Sequence, residues 1–244
     1  MSFPNVVYGS EEETFAADAI QSVPVGTKMI IEDGRAYRYA KNNASNAAIV
    51  ANVQQGAIPE VAKYGDQAVA TLAAGVSVLT AVGATTTDMG IHELVNGYCW
   101  SEQTTQLGPA SRIKDNTLIA AGAATGTITL YSPLPLALVA ADTISYIRNP
   151  WMNVLIQPTT PTGQLVGIAV AAIPVSTWGW VQVSGPCKVQ TTGTPLIADS
   201  LVISTATAGC VMPSVAFETD GPAVGRFLSW EQANEDALIF ACIE

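Results

Sequence analysis

The chain has 244 residues with 20 Asp and Glu against 10 Lys and Arg, so its formal net charge is −10. Charged residues make up only 12% of the chain and hydrophobic residues 49%, whereas an average soluble domain carries about 25% charged residues. The apolar content argues against disorder. The scattered basic residues argue against a nucleic-acid or anionic-membrane partner, because both require clustered positive charge.

The N-terminal segment is polar and acidic. Residues Met1–Asn5 lack the basic and apolar blocks of a signal peptide, and no Ala/Val-rich stretch reaches the roughly 20 apolar residues that cross a bilayer. We therefore expect a soluble protein made in a cytoplasm. Residues 1–26, which include Glu11–Glu13, are predicted to form an N-terminal arm, with a short helix over Thr14–Ile20 as the alternative.

A β-hairpin is the first clear element. Two β-prone runs, Lys28–Glu32 and Arg35–Tyr39, flank the pair Asp33-Gly34, which is typical of a type I′ turn. The alternation places Tyr37 and Tyr39 on one face of the second strand. The next segment, Ala47–Pro59, is ambiguous between strand and helix.

From residue 66 onward the pattern is that of short strands separated by Gly and Pro, which indicates an all-β barrel or sandwich with few helices. In the first of these runs, Val76, Val78, Thr80 and Val82 fall on one side. A single helical turn over Trp230–Asn234, capped by Ser229, is also predicted. The predicted strands are Val76–Val82, Thr127–Tyr131, Thr143–Ile147, Val166–Ala172, Trp178–Val183, Ser200–Ser204 and Ala237–Ile243.

The best linker candidate is Gln157–Gly163, which is rich in Thr and Pro and has no apolar periodicity. A domain boundary there gives a first β domain over residues 27–157 and a second over 164–244. The sequence therefore predicts two small β-barrel or β-sandwich units behind the arm.

A short cassette occurs twice and supports two related units. In the first copy, Asn96–Trp100 leads to Gly108–Ile113; in the second, Trp178–Val183 leads to Gly185–Val189. Each copy has a glycine beside an aromatic residue at a strand, then Gly-Pro, then a basic residue and a β-branched one.

Few residues offer catalytic or metal chemistry, and we expect neither an enzyme nor a cofactor. His92 is the single histidine and lies near no nucleophile motif, so a turn position is the expectation. The carboxylates Asp33, Asp199 and Asp220 sit beside turn residues, where Asp bonds locally. Four widely spaced cysteines are expected to act as small buried apolar residues, with disulfides left open by count alone: Cys99, Cys187, Cys210 and Cys242.

Aromatic residues on or beside strands are the remaining candidate site. Such residues either stack sugars, as in a carbohydrate-binding module, or fill cores and subunit interfaces; we favour the second interpretation. They are Tyr98, Trp100, Trp151, Trp178 and Trp180.

Several motifs together resemble the head decoration (capsid cement) proteins of tailed phages. The run Asp33–Ala40 is similar to a hairpin near the start of those proteins, and Thr85–Trp100 to a Gly-Tyr strand. The C-terminal half resembles the skeleton of small cement domains in the segments Trp180–Gln182, Ala198–Val202, Ala208-Gly209, Val224–Leu228 and Asp236–Ile239.

The resemblance implies a β-rich, often trimeric protein on the outside of an icosahedral head. Its expected partners are the major capsid protein and further copies of itself, with no nucleic acid and no membrane, and its expected location is the virion surface. It implies no catalytic residues. The aromatic set keeps a second hypothesis open, namely a carbohydrate- or receptor-binding β module such as a head fibre or a tail-associated adhesin.

Overall fold

The computed structural model describes residues 6–82, 87–101, 109–122, 126–139, 142–214, 222–229 and 235–244. The predicted turn over Trp230–Asn234 and the turn position of Asp220 lie outside these residues. The described residues form an all-β protein, as predicted, whose two helices have four residues each.

The chain divides into two compact units, and the second is inserted into the first. Unit 1 combines Met1–Ile58 with Pro150–Glu244, and unit 2 is Pro59–Asn149. The first part of unit 1 contains β1 (Val6–Tyr8), α1 (Glu11–Thr14), β2 (Ala17–Asp18), β3 (Lys28–Ile30), β4 (Ala36–Asn42) and β5 (Val53–Gln55). Unit 2 contains α2 (Val61–Tyr64), β6 (Gln67–Ala68), β7 (Val78–Val82), β8 (Tyr98–Ser101), β9 (Ser111–Asn116), β10 (Gly126–Leu130) and β11 (Thr143–Ile147). The chain returns to unit 1 with β12 (Met152–Ile156), β13 (Leu165–Ala169), β14 (Trp178–Gln190), β15 (Ser200–Ile203), β16 (Val211–Pro213), β17 (Ala223–Phe227) and β18 (Asp236–Cys242).

This division differs from the predicted domains 27–157 and 164–244. The segment Gln157–Gly163 is a loop inside unit 1, because β12 and β13 on either side of it both pair with β5. Gln55 fixes the loop: its side-chain amide donates to Thr162 Oγ1 (2.8 Å) and its Oε1 accepts from the Gly163 backbone N (3.1 Å). A Pro- and Thr-rich stretch therefore marks a connection between strands of one sheet here.

Unit 1 is built on two rings of strands that share β14. The pairings β4–β12, β12–β5, β5–β13, β13–β14 and β14–β4 close the first ring. The second runs β14–β18–β17–β15–β16 and is closed by a bridge between Thr191 and Val211. Each ring has its own core: Ala40, Val154, Val166, Ala169 and Val181 in the first, and Val189, Leu201, Val224, Phe227 and Ile239 in the second.

The burial pattern of the long strand β14 changes where the strand passes from the first ring to the second. Residues 179–183 are buried on both faces, whereas from Gly185 onward buried and exposed residues alternate. Gly185 has φ +93°, and a Cβ there would lie 2.9 Å from Arg35 Cγ. A positive φ combined with this close approach requires glycine.

The predicted hairpin is present, but its turn is of another type. Lys28 pairs with Arg38 and Ile30 with Ala36, and Tyr37 and Tyr39 are both fully buried on one face. Gly34 has φ +86°, whereas Asp33 is not in the positive-φ region that a type I′ turn requires of both residues. The Gly34 N–H instead donates to the Ile31 carbonyl (3.0 Å), as in a three-residue loop that ends in a left-handed glycine.

The described part of the predicted arm, residues 6–26, is docked on unit 1. Strand β1 runs parallel to β3, and β2 pairs with the start of β14. The short helix is α1, which begins and ends earlier than the predicted Thr14–Ile20, and its Glu11 forms an ion pair with Arg35 (2.5 Å). Backbone pairing and this ion pair hold the segment against the sheet.

Unit 2 is a single curled sheet in the order β6-β11-β8-β9-β10-β7, whose edge strands β6 and β7 approach each other. The predicted strands Thr127–Tyr131 and Thr143–Ile147 are confirmed as β10 and β11. In β7, Val78 and Thr80 lie on one side of the strand, and that side faces solvent. Leu79, between them, points the other way and packs in the core. The core also contains Met89, Leu94, Ile113, Ile119, Ile128 and Ile144.

The two copies of the repeated cassette have different structures. In the first copy, whose Gly108 lies outside the described residues, Tyr98 and Cys99 of β8 pair with Arg112 and Ser111 of the separate strand β9. The second copy, from Trp178 to Val189, lies on the single strand β14. The repeat therefore does not define two equivalent units.

Candidate interaction surfaces

An exposed apolar surface lies on the second ring of unit 1. Strands β14, β18 and β17 are neighbours in the sheet, and their alternate residues face either the core or solvent. Phe240 pairs with Pro186 on one side and Arg226 on the other, and Leu238 pairs with Lys188. We call the solvent-facing set the outer face; it consists of Pro186, Lys188, Arg226, Leu228, Leu238, Phe240 and Cys242.

The centre of the outer face is apolar and its sides are basic. Leu238 is 46% exposed, Phe240 42% and Leu228 44%. Lys188 forms an ion pair with Asp236 (2.5 Å) at one side, and Arg226 lies at the other. Contiguous apolar surface rimmed by polar groups marks interaction sites on proteins.

A cleft of about 320 Å³ adjoins the outer face and extends it. The outer-face residues Pro186, Lys188 and Leu238 line one part of it, and Phe15 and Val50 line another. Phe15 and Val50 are themselves exposed. The apolar surface available to a partner therefore continues from β18 to the helix α1 and the loop before β5.

The predicted aromatic residues of unit 1 are divided between core and surface. Trp180 packs edge-on against Tyr39 with a centroid distance of 4.9 Å and belongs to the core. Trp151 is half-buried, donates from Nε1 to the Val166 carbonyl (3.1 Å) and lies beneath the Arg38 guanidinium. Trp178 is half-buried with Lys41 Nζ 5.0 Å from its ring centroid. None of these three is an open sugar platform.

The other two predicted aromatics lie in unit 2, where Tyr98 forms a row with Arg112 and Tyr131, and Trp100 lies outside that row. Tyr98 is exposed and pairs with Arg112 on β9, and the Arg112 guanidinium lies 4.8 Å from the ring centroid of exposed Tyr131. Asn96 Oδ1 accepts from Arg112 Nη2 (2.8 Å) and from the Tyr131 hydroxyl (3.0 Å). Trp100 is half-buried and lies on the same side of β8 as Tyr98, since residues two apart share a face. We call Tyr98, Arg112 and Tyr131 the aromatic row.

A part-buried ionic cluster in unit 2 holds its turns together. Glu93 accepts from Lys63 Nζ (2.8 Å), from the Tyr64 hydroxyl and from the Gly90 N–H (2.6 Å). Burial alone would raise the pKa of Glu93, but these hydrogen bonds outweigh it and lower the pKa below its usual value. Arg148 joins Glu93 (3.5 Å) to Glu60 (3.1 Å). Because its donors come from α2, the 90–96 turn and the end of β11, we assign this cluster a structural role.

The remaining sequence candidates occupy the positions expected of turn and core residues, with one exception. His92 lies in an exposed turn with φ +62°, and its Nδ1 is 2.6 Å from Asp115 Oδ1. Asp33 and Asp199 each accept a hydrogen bond from a nearby backbone N–H, as predicted.

Three of the four cysteines, Cys99, Cys187 and Cys210, are buried free thiols, and burial raises the pKa of Cys99 and Cys187 to about 12. Cys242 is the exception, because it points outward from β18 and is exposed.

Sequence reasoning did not identify the outer face. The run Asp236–Cys242 has apolar residues at both odd and even positions, so both sides of the strand are apolar. That pattern was the available signal, since apolar and polar residues normally alternate along a half-buried strand.

Within the described ranges, no group of three or more His, Cys, Asp or Glu side chains is placed to hold a metal ion.

Comparisons with known proteins give no relative for this chain. No protein-family model, no curated protein and no solved structure matches it. Neither described helix has the length and apolar character needed to traverse a lipid bilayer.

Proposed function

We propose that this chain is a virion structural protein that binds the outer surface of a tailed-phage head and stabilises it non-covalently. The outer face of unit 1 carries this proposal, since it leaves three large apolar side chains of one sheet exposed to solvent. The resemblance of several segments to capsid decoration proteins supports it. The proposed partners are the major capsid protein and, in a homotrimer, further copies of this chain.

The composition fits such a role. A decoration protein binds by burying surface on a lattice, and a chain with only 12% charged residues has little charge to desolvate. In a trimer, three linked contacts raise the effective affinity by about 10²–10⁴ without any new contact. The net charge of −10 does not favour binding to the packaged DNA.

A binding experiment with undecorated expanded heads tests the proposal. We expect saturable binding of the purified protein and higher thermal resistance of the decorated heads. Phe240→Asp is expected to weaken binding at least about tenfold, since central apolar anchors dominate interfaces. Leu118→Asp, at an exposed apolar residue of unit 2, is the matched control and should bind like the parent.

One result would overturn the function, and another would overturn only the contact surface. Absence of binding by the parent protein would remove the proposal itself. Equal binding by the parent and Phe240→Asp would remove the outer face as the contact surface. The oligomeric mass of the parent and of Phe240→Asp is measured in parallel by sedimentation. A smaller oligomer in the variant would assign the outer face to contacts between copies of this chain instead.

The aromatic row favours carbohydrate or receptor binding as a second candidate function. Tyr98 and Tyr131 are exposed, and the hydrogen bonds of Asn96 and the stacked Arg112 hold the row in place. Exposed rings beside polar groups are suited to stacking a sugar. We expect any glycan signal on an array to be lost in Tyr98→Ala and kept in Trp178→Ala, which lies in unit 1. An array without signal would remove this candidate.

A further inference from the structure

A second cleft in unit 1, of about 340 Å³, lies between the N-terminal segment and the sheet. This volume is within the range of small-ligand sites, which begins at about 300 Å³. Its position follows from the pairing of β1 with β3 and of β2 with β14, which attaches both ends of the segment from Val6 to Asp18 to the sheet. We call it the N-terminal cleft; its lining includes Tyr8, Glu13, Asp18, Ser22, Met29 and Trp180.

The floor of the N-terminal cleft is apolar and packed into the core. Trp180 is 8% exposed and packs in one core cluster with Met29 and Tyr39. Tyr8, at the rim, is 85% exposed, so its ring is available to a ligand. A packed floor of this kind requires little reorganisation when a ligand binds.

Two carboxylates complete the lining. Asp18 Oδ2 accepts from the Tyr39 hydroxyl (2.6 Å) and from Ser22 Oγ (2.8 Å), and Glu13 Oε2 accepts from the Ser10 N–H (2.7 Å). Burial and the bond to Asp18 raise the pKa of Tyr39 to about 12, so its hydroxyl stays protonated and keeps donating. Within the described part of the chain, neither carboxylate forms an ion pair.

This combination is suited to a cation with an apolar stem. An aliphatic stem can contact Met29 and Trp180, while two carboxylates and an aromatic rim attract a positive end group. The same sheet already uses this contact, since Lys41 Nζ lies 5.0 Å from the ring centroid of Trp178. An ammonium has three donors and a compact charge, which suits acceptors on separate elements better than the planar fork of a guanidinium does.

We propose that the N-terminal cleft binds a lysine side chain presented by a partner protein, with the stem over Trp180 and the ammonium group between Asp18 and Glu13. This inference does not depend on the proposed function, because a lysine-binding cleft serves any protein partner. It also differs in place from the outer face, whose centre is apolar and whose flanking charges are basic.

Titration of the full chain with small probes tests the proposal. The probes are Nα-acetyl-lysine N-methylamide, hexylammonium, hexanol and spermidine, and the indole N–H signal of Trp180 reports binding by NMR. We expect saturable shifts with the lysine derivative and with hexylammonium at about millimolar concentration, in keeping with the few atoms buried. Hexanol has the same stem without the charge and should bind at least about tenfold more weakly.

Substitutions test which carboxylates bind the ammonium group. Asp18→Asn and Glu13→Gln are each expected to weaken binding of the lysine derivative about tenfold, as for a lost charge-assisted hydrogen bond. Glu12→Gln is the matched control, because Glu12 is an exposed neighbour in α1 that does not line the cleft. If Asp18→Asn disturbs the fold through Tyr39, the comparison of Glu13→Gln with Glu12→Gln decides.

Three results would overturn the proposal. Hexanol could bind as tightly as hexylammonium, which would make the cleft merely apolar. Glu12→Gln could weaken binding as much as Glu13→Gln, which would make the effect one of overall charge. Spermidine could bind more tightly than the lysine derivative, which would assign the cleft to free polyamines.

Discussion

Replacing Phe227 with alanine is expected to lower the free energy of unfolding by about 3–5 kcal/mol, the cost of deleting a buried aromatic ring. Phe227 is 1% exposed on β17 and packs in the core of the second ring with Val224, Leu201 and Ile239. The cavity left by its ring cannot close, because strands on both sides of β17 are held by backbone hydrogen bonds. Denaturant unfolding followed by far-UV circular dichroism measures the change.

Phe240→Ala is the matched control for this prediction. Phe240 lies on the neighbouring strand β18 and pairs with Arg226, the residue before Phe227, but it points to solvent. We expect its replacement to cost less than about 1 kcal/mol. Equal losses in the two variants would contradict the assignment of opposite faces, and with it the outer face.

Replacing Gly225 with alanine is expected to cost at least about 3 kcal/mol, at the upper end of overpacking effects. A Cβ on Gly225 would lie 2.2 Å from the Phe240 carbonyl oxygen and 3.0 Å from the Ala241 Cα. Both atoms belong to the backbone of β18, so relief requires β17 and β18 to separate. The thermal unfolding midpoint, measured by calorimetry, reports the loss.

Gly90→Ala provides the comparison. A Cβ on Gly90 would meet only Glu93 Oε2, at an ordinary contact distance of 3.5 Å. We expect a change within about 0.5 kcal/mol, as for most substitutions that disturb no packing. A Gly225→Ala variant as stable as Gly90→Ala would mean that β17 and β18 are not as close as described.

The hairpin of unit 1 and the short strands of unit 2 were predictable because the sequence patterns that indicate them are local. The pair Asp33-Gly34 between two β-prone runs predicts the hairpin, and Gly34 has the positive φ that the turn needs. The type of turn was not predictable from the pair alone, since a three-residue loop also places glycine in that region. The buried side of Tyr37 and Tyr39 followed from the period of two along a strand.

The candidate surfaces were less accessible to sequence reasoning. Tyr98 was identified as an aromatic candidate, but the row that it forms with Arg112 and Tyr131 depends on the register of β8, β9 and β10. Trp180 belongs to the core of unit 1 even though its sequence neighbours resemble those of Tyr98. An aromatic residue beside a glycine does not reveal its burial, because a strand acquires a buried face only when other strands cover it.

Composition and local alternation were sufficient to establish an all-β chain with little helix, since strand formation and turns depend on neighbouring residues. Long-range pairing determined the rest. It brought Pro150–Glu244 back to the first 58 residues, made β14 common to two rings and left the apolar outer side of β18 uncovered. These outcomes depend on which distant strands exchange hydrogen bonds and bury each other, and no short segment specifies its partner.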